Sequence, residues 1–199
     1  MTTHLHLHQA VFLDRDGVLI EDCHLLTDPA NIRVLPGVPP ALLRLQEAGF
    51  RLIVVTNQAV VARGLATEDD VHRLCAQVST RIEQQGGPPI DAFYICPHHP
   101  NATLTSYRVS CDCRKPRPGL FFRAAADHGL DLNRSFMVGD RVSDTIAGAR
   151  AGCRTVLVAT GAHLSPPIES DEAMDLEQTQ PSYSCAGLPE AVNWILESL

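Results

Sequence analysis

The chain has 199 residues, 45% hydrophobic and 20% charged, enough to bury one ordinary core and near the upper size for a single domain. Its formal charge of −7 argues against a broad electrostatic grip on nucleic acid, while a local basic patch for a small phosphorylated molecule stays open. No apolar run approaches the roughly 18 to 20 residues that span a bilayer, and MTTHLHLHQA at the N-terminus lacks the basic start and apolar run of a signal peptide, so no membrane partner and a cytoplasmic location are expected.

In chain order, an apolar run over residues 10–13 reads as a strand ending at Asp14. A helix is expected over 39–48, closed by Gly49, and then a strand over 51–55 that runs into Thr56. Thr67 suits the N-cap of a helix over 67–85, and a strand over 92–95 leads to Cys96. Pro118 suits the first turn of a helix over 118–128 that Gly129 stops. A strand over 136–139 delivers Asp140, a helix over 143–151 ends at Gly152, and a strand over 155–159 reaches Thr160. Residues 165–184, rich in Pro, Ser, Asp and Glu, read as a loop or mobile segment before a last helix over 189–196. The alternation predicts an α/β fold with a mainly parallel sheet covered on both faces, in one domain over 1–199. Ligands of such sheets bind beyond the carboxyl ends of the strands, so Asp14, Thr56 and Asp140 are expected to converge. His4, His6 and His8 alternate as one face of an extended end would.

Four segments carry chemistry. In FLDRDGVLIED, Asp14 and Asp16 stand two residues apart at a strand end, with Gly17 permitting a tight turn. Such a pair can divide phosphoryl transfer: Asp14 attacks phosphorus, and Asp16 protonates the leaving oxygen and later takes a proton from water. In VVTNQ, Thr56 and Asn57 offer groups that hydrogen-bond phosphate oxygens. In CRKPRPG, Lys115 supplies the positive charge that a phosphate beside two carboxylates requires, and Arg114 can clamp a second anionic group. In FMVGDRVSD, Asp140 can join Asp14 in holding Mg²⁺, with a backbone carbonyl such as that of Asp16, while Asp144 orients neighbours. Taken singly, each segment has a plain alternative: an acidic turn, a strand cap, a solvated basic pair, an acidic helix start.

Three of the seven cysteines crowd one loop, whereas Cys23, Cys75, Cys153 and Cys185 show no framework spacing, a pattern of metal binding in a reducing compartment. Cys96, His98, Cys111 and Cys113 form a C-x-H-x₁₂-C-x-C motif. Three thiolates and an imidazole complete a closed tetrahedral Zn²⁺ shell, a structural site that would tie down a loop over 96–113 and set Arg114 and Lys115. Spacing alone leaves His99 in competition with His98.

The order nucleophile, Thr, Lys, metal carboxylate, each at a strand end or helix start, resembles the haloacid dehalogenase-like phosphatases over roughly residues 10–160. The resemblance implies a Rossmann-like, doubly wound fold and an aspartyl-phosphate on Asp14. It also implies Asp16 as acid/base, phosphate binding by Thr56 and Lys115, and Mg²⁺ on Asp14, Asp16 and Asp140. With CPHHP and CDCRKP added to LDRDG and VVTNQ, the chain is similar to the D-glycero-D-manno-heptose-1,7-bisphosphate 7-phosphatase family, a capless branch. That likeness implies a phosphorylated sugar as the small-molecule partner, contacted by Asp22, Cys23, His24, Leu25, Thr56, Asn57, Gln58, Ala59, Arg114, Lys115 and Arg141, and a monomer is expected. The chain departs from the family with Ala59-Val60 where Ser-Gly is common and Leu25-Leu26-Thr27 where Gly-Tyr-Val is, both on the pocket rim. Histidinol-phosphate phosphatase, with a shorter zinc loop, is the nearest alternative, and a non-catalytic phosphosugar-binding module is the alternative of another class.

Overall fold

Short runs of Val, Ile, Leu and Phe without a polar residue to turn toward water are satisfied only by strands covered on both faces. In the computed structural model, which describes residues 7–161 and 180–199, six such strands form one sheet. They are β1 (Ala10–Leu13), β2 (Arg51–Asn57), β3 (Ala92–Cys96), β4 (Phe136–Gly139), β5 (Arg154–Val158) and β6 (Tyr183–Cys185). All pairings are parallel, in the order β3-β2-β1-β4-β5-β6, with Val11 opposite both Leu52 and Phe136. This is a doubly wound sheet of Rossmann order, with its switch point between β1 and β4.

Side chains alternate across a strand, so β1 sends Val11 and Leu13 to one face and Ala10 and Phe12 to the other. The first face packs on α1 (Val38–Glu47), α3 (Glu68–Gln84) and α6 (Leu188–Glu197) through Leu42, Leu45, Leu74, Val78, Val192 and Ile195. The second packs on α4 (Gly119–His128) and α5 (Val142–Ala151), where the Phe12 and Phe121 rings lie 4.7 Å apart. Right-handed crossovers produce this division, because connections leaving β1 in opposite directions must cross opposite faces. Helical spacing follows the same need: α3 buries Val71, Leu74, Cys75, Val78 and Ile82, one stripe of its surface.

The strands expected at 10–13 and 136–139 coincide with β1 and β4. β2 continues to Asn57, so Thr56 lies inside the strand, paired with Ile95, and not beyond its end. Apart from 3₁₀ turns, one helix and one strand of the described residues were not expected. The four-residue α2 (Ala59–Ala62) is too short to have a period, and β6 takes up 183–184 of the stretch read as a loop. Tyr183 to Cys185 pair with Val156 to Val158 at the sheet edge, where partial exposure removes the apolar signature of a strand. Residues 162–179, which take in 165–179 of that stretch, and His4 and His6 lie outside the described residues. Between β1 and β2 stand only a 3₁₀ turn (Pro29–Asn31) and α1, so no cap domain is inserted there among the described residues. No helix of the described residues is long and apolar enough to cross a membrane.

Candidate active site

The carboxyl end of β1 is locked to β4 by one further ladder bond, from Asp14 N–H to the Val138 carbonyl at 3.0 Å, which aims the buried Asp14 side chain at the switch point. Lys115 reaches it from the far side of β2. Its ammonium lies 3.0 Å from Asp14 Oδ1 and 2.7 Å from Asp144 Oδ1, and donates to the Val55 carbonyl at 2.7 Å. Burial alone would push the Lys115 ammonium toward deprotonation, but the Asp14 and Asp144 carboxylates reverse the balance and hold it above its ordinary value. The loop carrying Lys115 is pinned by Asn57, whose Nδ2 donates to the Lys115 carbonyl and whose Oδ1 accepts from the Lys115 N–H, both at 3.1 Å. Asn57 borders the cleft, yet both ends of its amide are committed to this clamp.

The Asp16 carboxylate is held by other partners. It accepts from the Arg15 guanidinium at 2.9 and 3.1 Å and from Gln58 Nε2 at 3.0 Å, and the same Gln58 nitrogen donates to Thr56 Oγ1 at 2.9 Å. Burial raises the Asp16 carboxyl above the usual carboxylate range, Arg15 pulls it part of the way back, and the charge of Asp14 adds to the rise. A carboxyl so raised is suited to hold a proton that it must give up.

Carboxylate oxygens of Asp14, Asp140 and Asp144 lie within 4.8 Å of one another, all three residues buried. An oxygen-only set of anionic donors fits a hard divalent cation such as Mg²⁺. The backbone around it is built close. A Cβ on Gly17, itself at φ +76°, would stand 2.6 Å from Asp140 Oδ2, and one on Gly139 would stand 2.2 Å from Asp144 Cβ. Asp144, expected only to orient its neighbours, thus belongs to the group and also pairs with Lys115. The side chain of Asp16 is not in the group, so its carbonyl is the part of that residue left to bind a cation.

A cleft of about 180 Å³ opens above these residues. Asp22, His24, Leu25, Thr56, Asn57, Gln58, Ala59, Arg114 and Arg141 all line it, whereas the exposed Cys23 does not. Cys23 Sγ instead lies 3.7 Å from the Asn31 carbonyl, in a tight turn where Asp22 Oδ1 accepts from His24 N–H at 2.8 Å and His24 sits at φ 64°. Arg141 reaches across to Asp22 at 3.1 Å. The lining also includes Leu26 and Val60, expected on the rim, and Arg15, Arg63, His99 and Ser143, which sequence alone did not assign to the cleft. Burial first, then the nearby Arg114 and Arg63 charges, lower the His99 pKa. The departures from family pattern meet in space: Leu25 packs in one cluster with Val60 and Val61.

Behind Arg114, the Cys96 Sγ, His98 Nδ1, Cys111 Sγ and Cys113 Sγ atoms close on one another. Cys96 lies 3.7 Å from both His98 Nδ1 and Cys111 Sγ, and Cys113 lies 3.2 Å from Cys96 and 3.4 Å from His98 Nδ1, with no disulfide. A tetrahedral ion with bonds of about 2.3 Å to sulfur sets its ligand atoms about 3.8 Å apart, so the cluster has the size of a zinc shell. His99 is turned elsewhere, its Nδ1 accepting from Asn101 N–H at 3.0 Å. The Arg114 guanidinium donates to the His98 carbonyl at 2.9 Å, so the loop sets the arginine at the cleft.

A family model described as HAD-hydrolase-like matches residues 112–191. A D-glycero-beta-D-manno-heptose-1,7-bisphosphate 7-phosphatase of Photorhabdus laumondii is 37% identical over 187 residues, 94% of this chain and 96% of its own. One from Rhodopseudomonas palustris is 40% identical over 152 residues, 76% of this chain and 84% of its own. The chain belongs to this heptose-bisphosphate phosphatase family. Among solved structures, the D,D-heptose 1,7-bisphosphate phosphatase of B. bronchiseptica, complexed with magnesium and phosphate, superposes with a TM-score of 0.78 at 30% identity, over 96% of this chain and 99% of that one. In this member of the phosphatase family the strand-end residues were legible because each closes an apolar run. Arg63 and Ser143 were not: nothing in their local sequence separates them from an ordinary helix end and helix start.

Proposed function

We propose that the chain removes the 7-phosphate of D-glycero-beta-D-manno-heptose 1,7-bisphosphate, with Mg²⁺ at the Asp14 site and Zn²⁺ in the loop from Cys96 to Cys113, as a cytoplasmic monomer whose single domain spans 1–199. The observation that carries it is Asp14 at the switch point, 3.0 Å from a buried ammonium and followed two residues later by an aspartate whose carboxyl is raised by burial. The relatives' names support the substrate, and the magnesium and phosphate in the B. bronchiseptica structure support the metal and the anion.

Asp14 and Asp140, with the Asp16 carbonyl, would hold the Mg²⁺, which when bound offsets the charge of phosphate against carboxylate. Lys115 and the Thr56 hydroxyl hold the phosphate oxygens. Asp14 attacks phosphorus in line, the bond from phosphorus to the sugar oxygen breaks, and Asp16 gives that oxygen its proton. A water then attacks the phospho-aspartate, Asp16 takes its proton, and inorganic phosphate leaves with Asp14 restored. Arg114, with Arg141 across the cleft, binds the rest of the sugar phosphate.

Phosphate release with Mg²⁺ is to be measured on both anomers of the heptose bisphosphate, histidinol phosphate and a short 3′-phosphorylated DNA, with phosphorus NMR of the product and Asp14→Asn as the blank. The expected product keeps its anomeric phosphate and forms fastest from the beta anomer. Faster turnover of another ester would discard the sugar assignment, and turnover of none would leave a binding module.

A further inference from the structure

Arg15 stands between the two aspartates in sequence, yet its side chain turns into the protein and is only 1% exposed, the largest fully buried side chain among the described residues. A guanidinium stripped of water is tolerated only when its N–H groups are matched. Arg15 meets this with a fork on Asp16, Nε to Oδ2 at 3.1 Å and Nη2 to Oδ2 at 2.9 Å and to Oδ1 at 3.1 Å. Nη2 also donates to Gln58 Oε1 at 2.9 Å, and Nη1 lies 3.9 Å from Cys75 Sγ on α3.

The two oxygens of Asp16 are not equivalent in this arrangement. Oδ2 accepts from Arg15 Nε, Arg15 Nη2 and Gln58 Nε2, whereas Oδ1 accepts from Arg15 Nη2 alone. A carboxylate oxygen carries two in-plane lone pairs, so Oδ2 is filled and Oδ1 has one open. We propose that Arg15, with Gln58, is a positioning residue for phosphoryl transfer, holding Asp16 so that Oδ1 is the oxygen that gives and takes the proton. The inference rests on the phosphatase reading above. In the step it governs, the Oδ1–H bond breaks as the bond from phosphorus to the ester oxygen breaks. The ester oxygen keeps its electron pair and gains the proton, and Asp14 gains the phosphoryl group. No cap domain stands between β1 and β2 to press Asp16 into place, so the fork and its anchor against α3 do that work from inside.

The test compares kcat/KM with Mg²⁺ for an ester that needs a proton to depart, the heptose bisphosphate, and one that does not, p-nitrophenyl phosphate. Arg15→Lys keeps the charge and most of the volume but loses the fork. It is expected to lower kcat/KM about 30- to 100-fold on the sugar ester and less than about threefold on the aryl ester. Gln58→Leu also releases the Thr56 hydroxyl, so it is expected to slow both esters and the sugar ester several-fold more, and Arg15→Lys is expected to cost nothing further on the sugar ester once Asp16→Asn is present. Equal losses on both esters, or losses that multiply in the double variant, would overturn the proposal and leave Arg15 a structural residue. Should Arg15→Lys not fold, Gln58→Leu alone decides by the same contrast between esters. Failure of the underlying reading looks different: the unaltered protein would release phosphate from neither ester, or Asp14→Asn would remain active, and the proposal would fall with it.

Discussion

A lysine only 3% exposed to water loses most of the hydration of its charge, and at Lys115 the carboxylates at 3.0 and 2.7 Å are what make that state tolerable. Removing the cation leaves Asp14 and Asp144 facing each other without it. Lys115→Met is therefore expected to lower kcat about 100- to 1,000-fold and to cost about 3 kcal/mol of stability in the absence of Mg²⁺, less in its presence. Melting with and without Mg²⁺, beside steady-state kinetics, checks both; an unchanged melting temperature without Mg²⁺ would mean that the pair does not carry the burial. Asp14, Thr56 and Asp140 were legible in the sequence because each follows an apolar run, and Lys115 because it is a basic residue shortly before a helix. The partners of Asn57 and Gln58 were not, since they lie 58 residues away at Lys115 and 43 residues back at Arg15 and only folding brings them together.

At the scale of elements, helices with full periods and caps were legible to within a residue or two, whereas α2 and β6 were hidden by brevity and, for β6, by an edge position that needs no apolar alternation. The start of α3 shows how a cap fixes a boundary. Thr67 Oγ1 accepts from Asp70 N–H at 3.1 Å, and Asp70 Oδ2 accepts from Thr67 N–H at 2.9 Å. Hydrogen bonds from Thr67, then the pairing with Arg73, pull the Asp70 carboxyl down to about 2 from its ordinary 3.8. A depressed carboxyl contributes stability that is complete above 3.8 and is lost as the pH falls toward 2. Thr67→Ala is expected to lower the melting temperature by roughly 2–4 °C near neutrality, and the gap from the unaltered protein should narrow below about pH 4. A gap that widened on acidification would contradict the cap. In the loop, the Cys96 cluster is expected to hold about one zinc per chain. Cys113→Ser should lose it, and the metal-free loop should weaken sugar bisphosphate binding through Arg114 more than it slows p-nitrophenyl phosphate; metal analysis and paired kinetics decide.

For the whole molecule, the alternation of strands and helices made the parallel sheet legible, and the strand order then follows from two runs of right-handed crossovers leaving β1 in opposite directions. That reversal is what brings Asp14, Thr56 and Asp140 to one rim, and what lets Lys115, from the connection between β3 and α4, enter beneath them. The residues that tune the site, Arg15 and Asp144 above all, depend on packing between elements that no local pattern encodes. The central claim, that Asp14 takes up the phosphoryl group, is tested most directly by mixing the protein with heptose bisphosphate and Mg²⁺, quenching in acid within a turnover, and mapping phosphorylated peptides by mass spectrometry. The account predicts a transient phosphoryl group on Asp14 that disappears as phosphate is released and is absent from Asp14→Asn. Phosphate release with no phosphoryl on Asp14 at any time, or undiminished release by Asp14→Asn, would contradict it.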